Sequence, residues 1–343
     1  MNIQKSIKTI MTGQDLTREE ISTTMNQILK GTASDAQIGA FLVSLSIKGE
    51  SIDEVIGSAQ VMRELSSKVS VDKKNLVDTC GTGGVASGIF NVSTTAAFVA
   101  SSCGAKVAKH GNRSATRKSG SADLLETAGV SLDLDPEQVK SCIEEVGLGF
   151  MFAPTHHSAM KYAIGPRKEL GIRTIFNLLG PLTNPAGVLN QVLGVFGVEW
   201  VRPIAEVLKV LGSHHVMVVH SEDGLDEISM ASPTNVAELK DGNIEEYIIS
   251  PEDFGLKTIS IEGLKVDSPK ASLQLAKEAL SGEHKLASQM VAMTSGAALY
   301  VSGLVDELGE GVELSLESMA NGEGLKKLEE LCTFSQYLSN QRN

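Results

Sequence analysis

From Leu76 to about residue 220 the chain alternates short apolar runs with helical periods. The apolar runs lie at 76–81, 106–108, 149–152, 192–196 and 216–220. Helical spacing fills 95–103, 122–128, 136–146 (Asp135 as cap and Pro136 at its first position) and 203–211. Strands separated by helices join as parallel neighbours, so the pattern predicts an α/β fold with a largely parallel central sheet covered by helices on both faces. Further along, Asp241-Gly242 divides two apolar–polar runs within 236–250 and predicts a β-hairpin insertion. Residues 269–280 read as a helix, and 284–303, long and apolar, as a buried one.

The first 68 residues have no strand texture. Ile3, Ile7, Ile10 and Met11 share one helical face, and Ile21, Met25, Ile28 and Leu29 another. Thr17 with Glu20, Ser34 with Gln37 and Ser51 with Glu54 are capping-box pairs, and Gly31 and Gly49 stand where helix ends favour a left-handed residue. The expected division is a small all-helical domain, 1–70, joined by helices around 158–180, and a larger α/β domain, 71–343. The helical unit has more apolar faces than it can cover alone, which predicts a further contact.

Cys80, Cys103, Cys142 and Cys332 show no paired spacing, which suits a reducing compartment. No stretch is apolar enough for a membrane span, so the expectation is a cytoplasmic protein with no membrane partner. Net charge is −12 and aromatics make up 4% of residues. Both argue against nucleic acid as a partner, which needs clustered cations and stacking platforms.

Against that acidic background, 109–123 is a positive island: Lys109, Arg113, Arg117 and Lys118 with Ser114, Thr116, Ser119, Ser121 and the glycines 111 and 120. It has almost nothing to bury and reads as loop, not core. Cations and hydroxyls around flexible backbone suit a multiply phosphorylated small ligand, a bare solvated loop being the other reading. Upstream, Gly81-Thr82-Gly83-Gly84 follows a strand, and Asn91-Val92-Ser93-Thr94 opens a helix that its side chains can cap. Glycines let backbone amides approach phosphate, and a helix start favours anions. A tight turn without ligand explains the same residues. Downstream, Asp223-Gly224-Leu225-Asp226-Glu227 places carboxylates after a strand, a hard-oxygen set for Mg²⁺ or else a surface turn. Arg167, in an apolar setting, calls for a carboxylate or phosphate partner, from the protein or from a ligand. The pairs His156-His157 and His214-His215 lack metal-ligand spacing.

The ordered set Asp78-Thr79-Cys80-Gly81-Thr82-Gly83-Gly84, Phe90-Asn91-Val92-Ser93-Thr94, Lys109-His110-Gly111-Asn112-Arg113-Ser114, Lys118-Ser119-Gly120-Ser121-Ala122-Asp123 and 223–227 resembles the anthranilate phosphoribosyltransferase family. So do Phe152-Ala153-Pro154 through Met160-Lys161 and the segment 173–185, and the resemblance spans nearly the whole chain. It implies a helical domain plus an α/β domain, as in the related nucleoside phosphorylases, and a homodimer joined through the helical domains. The implied reaction transfers phosphoribosyl from phosphoribosyl pyrophosphate to the amine of anthranilate. Carried over by position, Gly81, Gly84, Val85, Asn91, Val92, Ser93, Thr94, Lys109, His110, Gly111, Asn112, Arg113, Ser114, Ala115, Thr116, Arg117 and Ser121 would hold phosphoribosyl pyrophosphate. Gly81, Asn112 and Arg167 would face anthranilate, Arg167 meeting its carboxylate. Ser93 and Glu227 would ligate one Mg²⁺, and Asp226 with Glu227 a second. No covalent nucleophile stands out; His110 is a candidate for proton removal, with loop structure as its other reading.

Two positions depart from the resemblance. The family pattern Gly-Thr-Gly-Gly-Asp has Val85 at its last place, which removes an acidic group beside the diphosphate, and Arg117 replaces a small hydroxyl residue. Val85→Asp is therefore expected to shift the Mg²⁺ dependence of turnover; an unchanged Mg²⁺ titration would refute it. Two other functions remain compatible at this stage. A pyrimidine nucleoside phosphorylase would show phosphorolysis of thymidine or uridine, and a non-catalytic nucleic-acid-binding relative would show salt-sensitive DNA binding.

Overall fold

A computed structural model describes residues 2–83, 88–114 and 118–341. The chain opens with α1 (Ile3–Met11), α2 (Arg18–Leu29), α3 (Asp35–Lys48) and α4 (Ile52–Leu65). All three capping boxes form, with Thr17, Ser34 and Ser51 each accepting from the amide three residues on. Gly31 and Gly49 take positive φ, as the helix ends require. On the first apolar face Ile3 and Ile10 are buried, but Met11 is 73% exposed and does not belong to the core.

There follow β1 (Leu76–Gly81), α5 (Val92–Ser102), β2 (Lys106–Gly111), α6 (Ser121–Ala128), α7 (Pro136–Glu145), β3 (Leu148–Phe152), α8 (Ala153–His156), α9 (Lys161–Leu170) and α10 (Ile175–Leu182). Then come β4 (Asn190–Gly194), α11 (Val201–Val210), β5 (His215–Ser221), β6 (Thr234–Lys240) and β7 (Asn243–Ile249). The chain closes with α12 (Pro269–Leu280), α13 (Lys285–Val301), α14 (Leu308–Ala320) and α15 (Glu323–Asn340). Among the described residues no helix is long and apolar enough to cross a membrane.

The strands form one seven-stranded sheet in the order β3-β2-β1-β4-β5-β6-β7. It is parallel from β3 to β5 and antiparallel through β6 and β7. The hairpin at Asp241-Gly242 is thus the edge of the main sheet and not a separate insertion. Its two turn residues have φ of 50° and 77°, the mirror-image geometry that Asp-Gly tolerates.

The sheet divides the apolar interior in two. Val192 and Met217 face one core, with α5 and α13; Leu193, Val216 and Val218 face the other, with α11 and the N-terminal helices. Alternate residues are therefore apolar on both faces, which is why these strands read as continuous hydrophobic runs. Helices α9 and α10 lie in the second core: α9 packs on α2 and α3, and α10 on α3 and α4.

The reading of 109–123 as loop fails. The island at 109–123 is not all loop, because β2 extends through Gly111, pairing with β3 as far as Gly111↔Phe152. Lys109, His110 and Ser119 are all buried.

Candidate active site at the carboxyl ends of the strands

From β1 the chain steps outward to β2 and β3, then returns to β4 on the other side of β1. The strand order reverses between β1 and β4, and in such sheets the crevice beyond the carboxyl ends at that point is where ligands bind. A cavity of about 500 Å³ lies there. One wall comes from the ends of β1 and β2 and the start of α5; the other is made by α9 and α10, with Met62 of α4.

Most of the expected phosphate-binding residues meet in this cavity. Gly81, Asn91, Ser93, Thr94, Lys109, His110, Gly111, Asn112, Arg113, Ser114 and Ser121 line it. Val92 does not; its side chain is buried in the core beneath α5. Gly84, Val85, Ala115, Thr116 and Arg117 lie outside the described residues. Lys118 is exposed and not part of the lining.

The start of α5 has no side-chain cap bond, as is also true of α9, α11, α14 and α15, but here the uncapped end lies on the cavity, with Asn91, Ser93 and Thr94 in its lining. Asn91 does not cap it, contrary to the sequence expectation, because its side chain is engaged with Ser119 and Ser272. Uncapped amides at the positive end of a helix, facing a cavity, form an anion site.

Lys109, 2% exposed, reaches this space from β2 with its ammonium on the Thr79 carbonyl. Burial pulls its pKa down, while the negative charge of Asp78 is the largest opposing influence. Asp78, wholly buried, accepts from Asn184 Nδ2 at 2.7 Å and the His110 amide at 3.3 Å. Arg113 is differently placed. Its guanidinium grips Glu126 at 2.7 and 2.9 Å and Asp123 at 3.1 Å. Asp123 in turn accepts the amides of Ser114 and Gly120 and ties the described ends of the loop together. In this conformation Arg113 is a loop fastener more than a free cation.

Opposite lie Asp226 and Glu227, both buried and both on the cavity. Asp226 Oδ2 accepts the Gly83 amide at 3.0 Å, so the loop after β5 positions the glycine loop after β1. Asp223 faces elsewhere, taking the hydroxyls of Ser221 and Ser229 at 2.6 Å each. Two carboxylates and, across the cavity, the Ser93 hydroxyl supply hard-oxygen donors to the same space. They fit Mg²⁺, which keeps several waters and shares phosphate oxygens. Among the described residues no three His, Cys, Asp or Glu side chains gather to hold an ion unaided. Such a site would therefore need the ligand's oxygens to complete it.

The far end of the cavity is apolar. Met62, Pro154, Met160, Ile164 and Phe176 line it, and the Arg167 guanidinium lies 5.0 Å from the Phe176 ring centre. No carboxylate of the described residues pairs with Arg167, and burial lowers its pKa. His110 and His157, with ring centres 5.0 Å apart, also face this space. Burial holds both imidazoles neutral, pushing His157 down to about 4 and His110 well below its ordinary value. That weakens His110 as a proton acceptor. Met62 was not singled out from the sequence, and His157 was weighed there only as a metal ligand; their place on this cavity arises through long-range packing.

Known proteins share this fold. Residues 73–325 match the family described as "Glycosyl transferase family, a/b domain", and residues 4–66 the corresponding helical bundle domain. The anthranilate phosphoribosyltransferase of Marinomonas sp. (strain MWYL1) is 58% identical over 98% of each chain. The crystal structure of anthranilate phosphoribosyltransferase from Thermus thermophilus superimposes with a TM-score of 0.91 at 43% identity, covering 96% of this chain and 99% of that one. The Saccharomyces cerevisiae enzyme in complex with PRPP and Mg superimposes with a TM-score of 0.88 at 25% identity over 98% of each chain.

Proposed function

We propose that this chain, which belongs to the glycosyl transferase family built of a helical bundle and an α/β domain, transfers the phosphoribosyl group of phosphoribosyl pyrophosphate to the amine of anthranilate. The reaction would release pyrophosphate and serve tryptophan biosynthesis. The observation that carries this reading is the division of one cavity into two chemistries. An ammonium, an uncapped helix start and two carboxylates stand at one end; an arginine over an aromatic ring, with no carboxylate partner among the described residues, stands at the other.

The residues act mainly by placement and charge. Anthranilate's amine is a weak neutral nucleophile, so departure of pyrophosphate must carry much of the barrier, while ribose C1 gains oxocarbenium character. Lys109 and the α5 amides would meet the negative charge growing on the leaving oxygens in a site shielded from water. Mg²⁺, bound in the relative with PRPP, would add Lewis-acid stabilisation of that charge; Ser93, Asp226 and Glu227 would hold it, with two ions our reading of the donor set. The apolar wall would receive the anthranilate ring, with Gly81 and Asn112 beside it. Arg167 would take its carboxylate and align the amine with C1, a positional contribution of several kcal/mol in favourable cases. Residues 115–117 would complete the set of phosphate contacts in this reading.

Fluorescence-monitored consumption of anthranilate by the purified protein, with and without Mg²⁺, tests the proposal directly. Phosphorolysis of thymidine without anthranilate turnover would overturn it. Arg167→Ala is expected to raise KM for anthranilate by about tenfold or more while leaving that for phosphoribosyl pyrophosphate within about twofold, the cost of an unpaired carboxylate. Equal losses would assign Arg167 to scaffolding. We further take 1–70 with the helices around 158–180 as the helical unit, working in the cytoplasm as a homodimer; Met11, Ile47, Tyr162 and Ile172 are large apolar side chains exposed outside the cavity.

A further inference from the structure

Ser272, on α12, does not line the cavity and is completely buried. Its hydroxyl nevertheless holds Asn91, which does line it. The Asn91 backbone amide donates to Ser272 Oγ at 3.1 Å, and that same oxygen lies 2.7 Å from Asn91 Oδ1. An amide N–H can only donate, so the serine oxygen accepts there and its own proton goes to Oδ1. Ser119 Oγ donates to Oδ1 as well, at 2.8 Å, and Asn91 Nδ2 returns a bond to the Ser119 carbonyl at 3.2 Å.

With Oδ1 committed to two hydroxyls, the carboxamide has one orientation. Its Nδ2 keeps a second N–H, which has no partner among the described residues, and Asn91 lines the cavity. A reversed amide would present an oxygen to the same space and repel an anion. The bracing extends along the chain. Val266 donates to the Gly88 carbonyl at 2.8 Å and Phe90 to the Leu264 carbonyl at 3.0 Å, so residues 264–272 clamp the segment that leads from the glycine loop into α5.

We propose that Ser272 is a positioning residue for the phosphoribosyl substrate, helping to fix the Asn91 carboxamide as an N–H donor toward the bound anion and joining α12 to the start of α5 and, through Asn91, to the segment after β2. This rests on the cavity's reading as a phosphoribosyl pyrophosphate site. The hydroxyl's value lies in orientation, not in contact with the ligand. Loss of Ser272 leaves Asn91 in place and held by Ser119 alone, with the carboxamide less firmly fixed.

Binding of phosphoribosyl pyrophosphate in Mg²⁺ buffer, measured by titration calorimetry on the full chain, tests it as a double-mutant cycle with thermal unfolding alongside. Ser272→Ala is expected to weaken binding on the order of tenfold, the scale of one hydrogen bond to a charged group. KM for anthranilate should stay within about twofold, because the apolar wall is untouched. In the Asn91→Ala background the same substitution should have no further effect on binding. A Ser272→Ala loss that persists without Asn91, or that strikes both substrates equally, would show a packing role and overturn the inference. Should Ser272→Ala fail to fold, Ser272→Cys, which keeps the side chain's shape but donates and accepts only weakly, replaces it in the cycle. A wild-type chain that does not bind the ligand overturns the functional reading, and this inference with it; binding with an additive cycle overturns the inference alone.

Discussion

Replacing Lys109 by methionine is expected to lower kcat/KM for phosphoribosyl pyrophosphate by two to three orders of magnitude, roughly the loss seen when one preorganised donor is taken from a developing anion. The substitution keeps an unbranched side chain of similar length in a site that is nearly closed to solvent. Stability should change little, because two effects oppose. The buried ammonium disappears with its desolvation cost, and Asp78 loses the charge that faces it. Asp78 keeps its bonds to Asn184 and the His110 amide, so the carboxylate is not left bare. Steady-state rates at saturating anthranilate, beside a thermal unfolding curve, separate catalysis from folding. A loss below about threefold would mean that Lys109 only packs β2, since such a change is under 1 kcal/mol of barrier.

Lys109 also shows where local reading of this chain stops. Elements whose signals are local were legible. Helix α12 spans Pro269–Leu280, as read, and the three N-terminal capping boxes and the Asp241-Gly242 turn formed where their residues stand. The sheet followed from strands alternating with helices. The extension of β2 was hidden because Lys109 and His110 are polar, and polarity reads as solvent exposure. Their burial serves function: the ammonium is kept within the sheet to face a cavity, and the imidazole to wall it.

The acidic pair and the glycine loop could be named from the sequence, and the structure places them on one cavity. What bound them together could not be. The Gly83 bond to Asp226 spans 143 residues and the Asn91 bond to Ser272 spans 181, and no periodicity or spacing carries information over such separations. Arg113 was legible as a cation but not as one already occupied by Glu126 and Asp123.

Gly194→Ala is expected to cost more activity than any other single methyl added to the sheet, although Gly194 touches neither substrate in our reading. It ends β4 and lies in the ladder on both sides, opposite Gly81 of β1 and Val219 of β5. Its φ lies in the ordinary range, so alanine brings no backbone strain and the effect is purely one of space. A Cβ there would overlap the Asp226 carbonyl oxygen, and sit 2.5 Å from its carbon and 3.2 Å from its Cα. These are backbone atoms, which cannot rotate away. The strand is held by two neighbours, so the turn after β5 must give. It carries Asp226 and Glu227, and through the Gly83 amide it also carries the glycine loop. Both halves of the anion cradle therefore move from one added methyl. Overpacking of this kind costs about 1–3 kcal/mol in stability, and a displacement on the order of 1 Å in a positioned group lowers turnover by about a hundredfold. The apparent Mg²⁺ requirement should rise with it, because the carboxylates and the phosphate oxygens no longer meet at one point. Gly309→Ala on α14, where the nearest atom to the new Cβ is 3.9 Å away, supplies the contrast: about 0.5 kcal/mol of gain from helix propensity with turnover unchanged. A Gly194→Ala chain that keeps wild-type turnover and Mg²⁺ dependence would show that the turn after β5 does not set the geometry of the site.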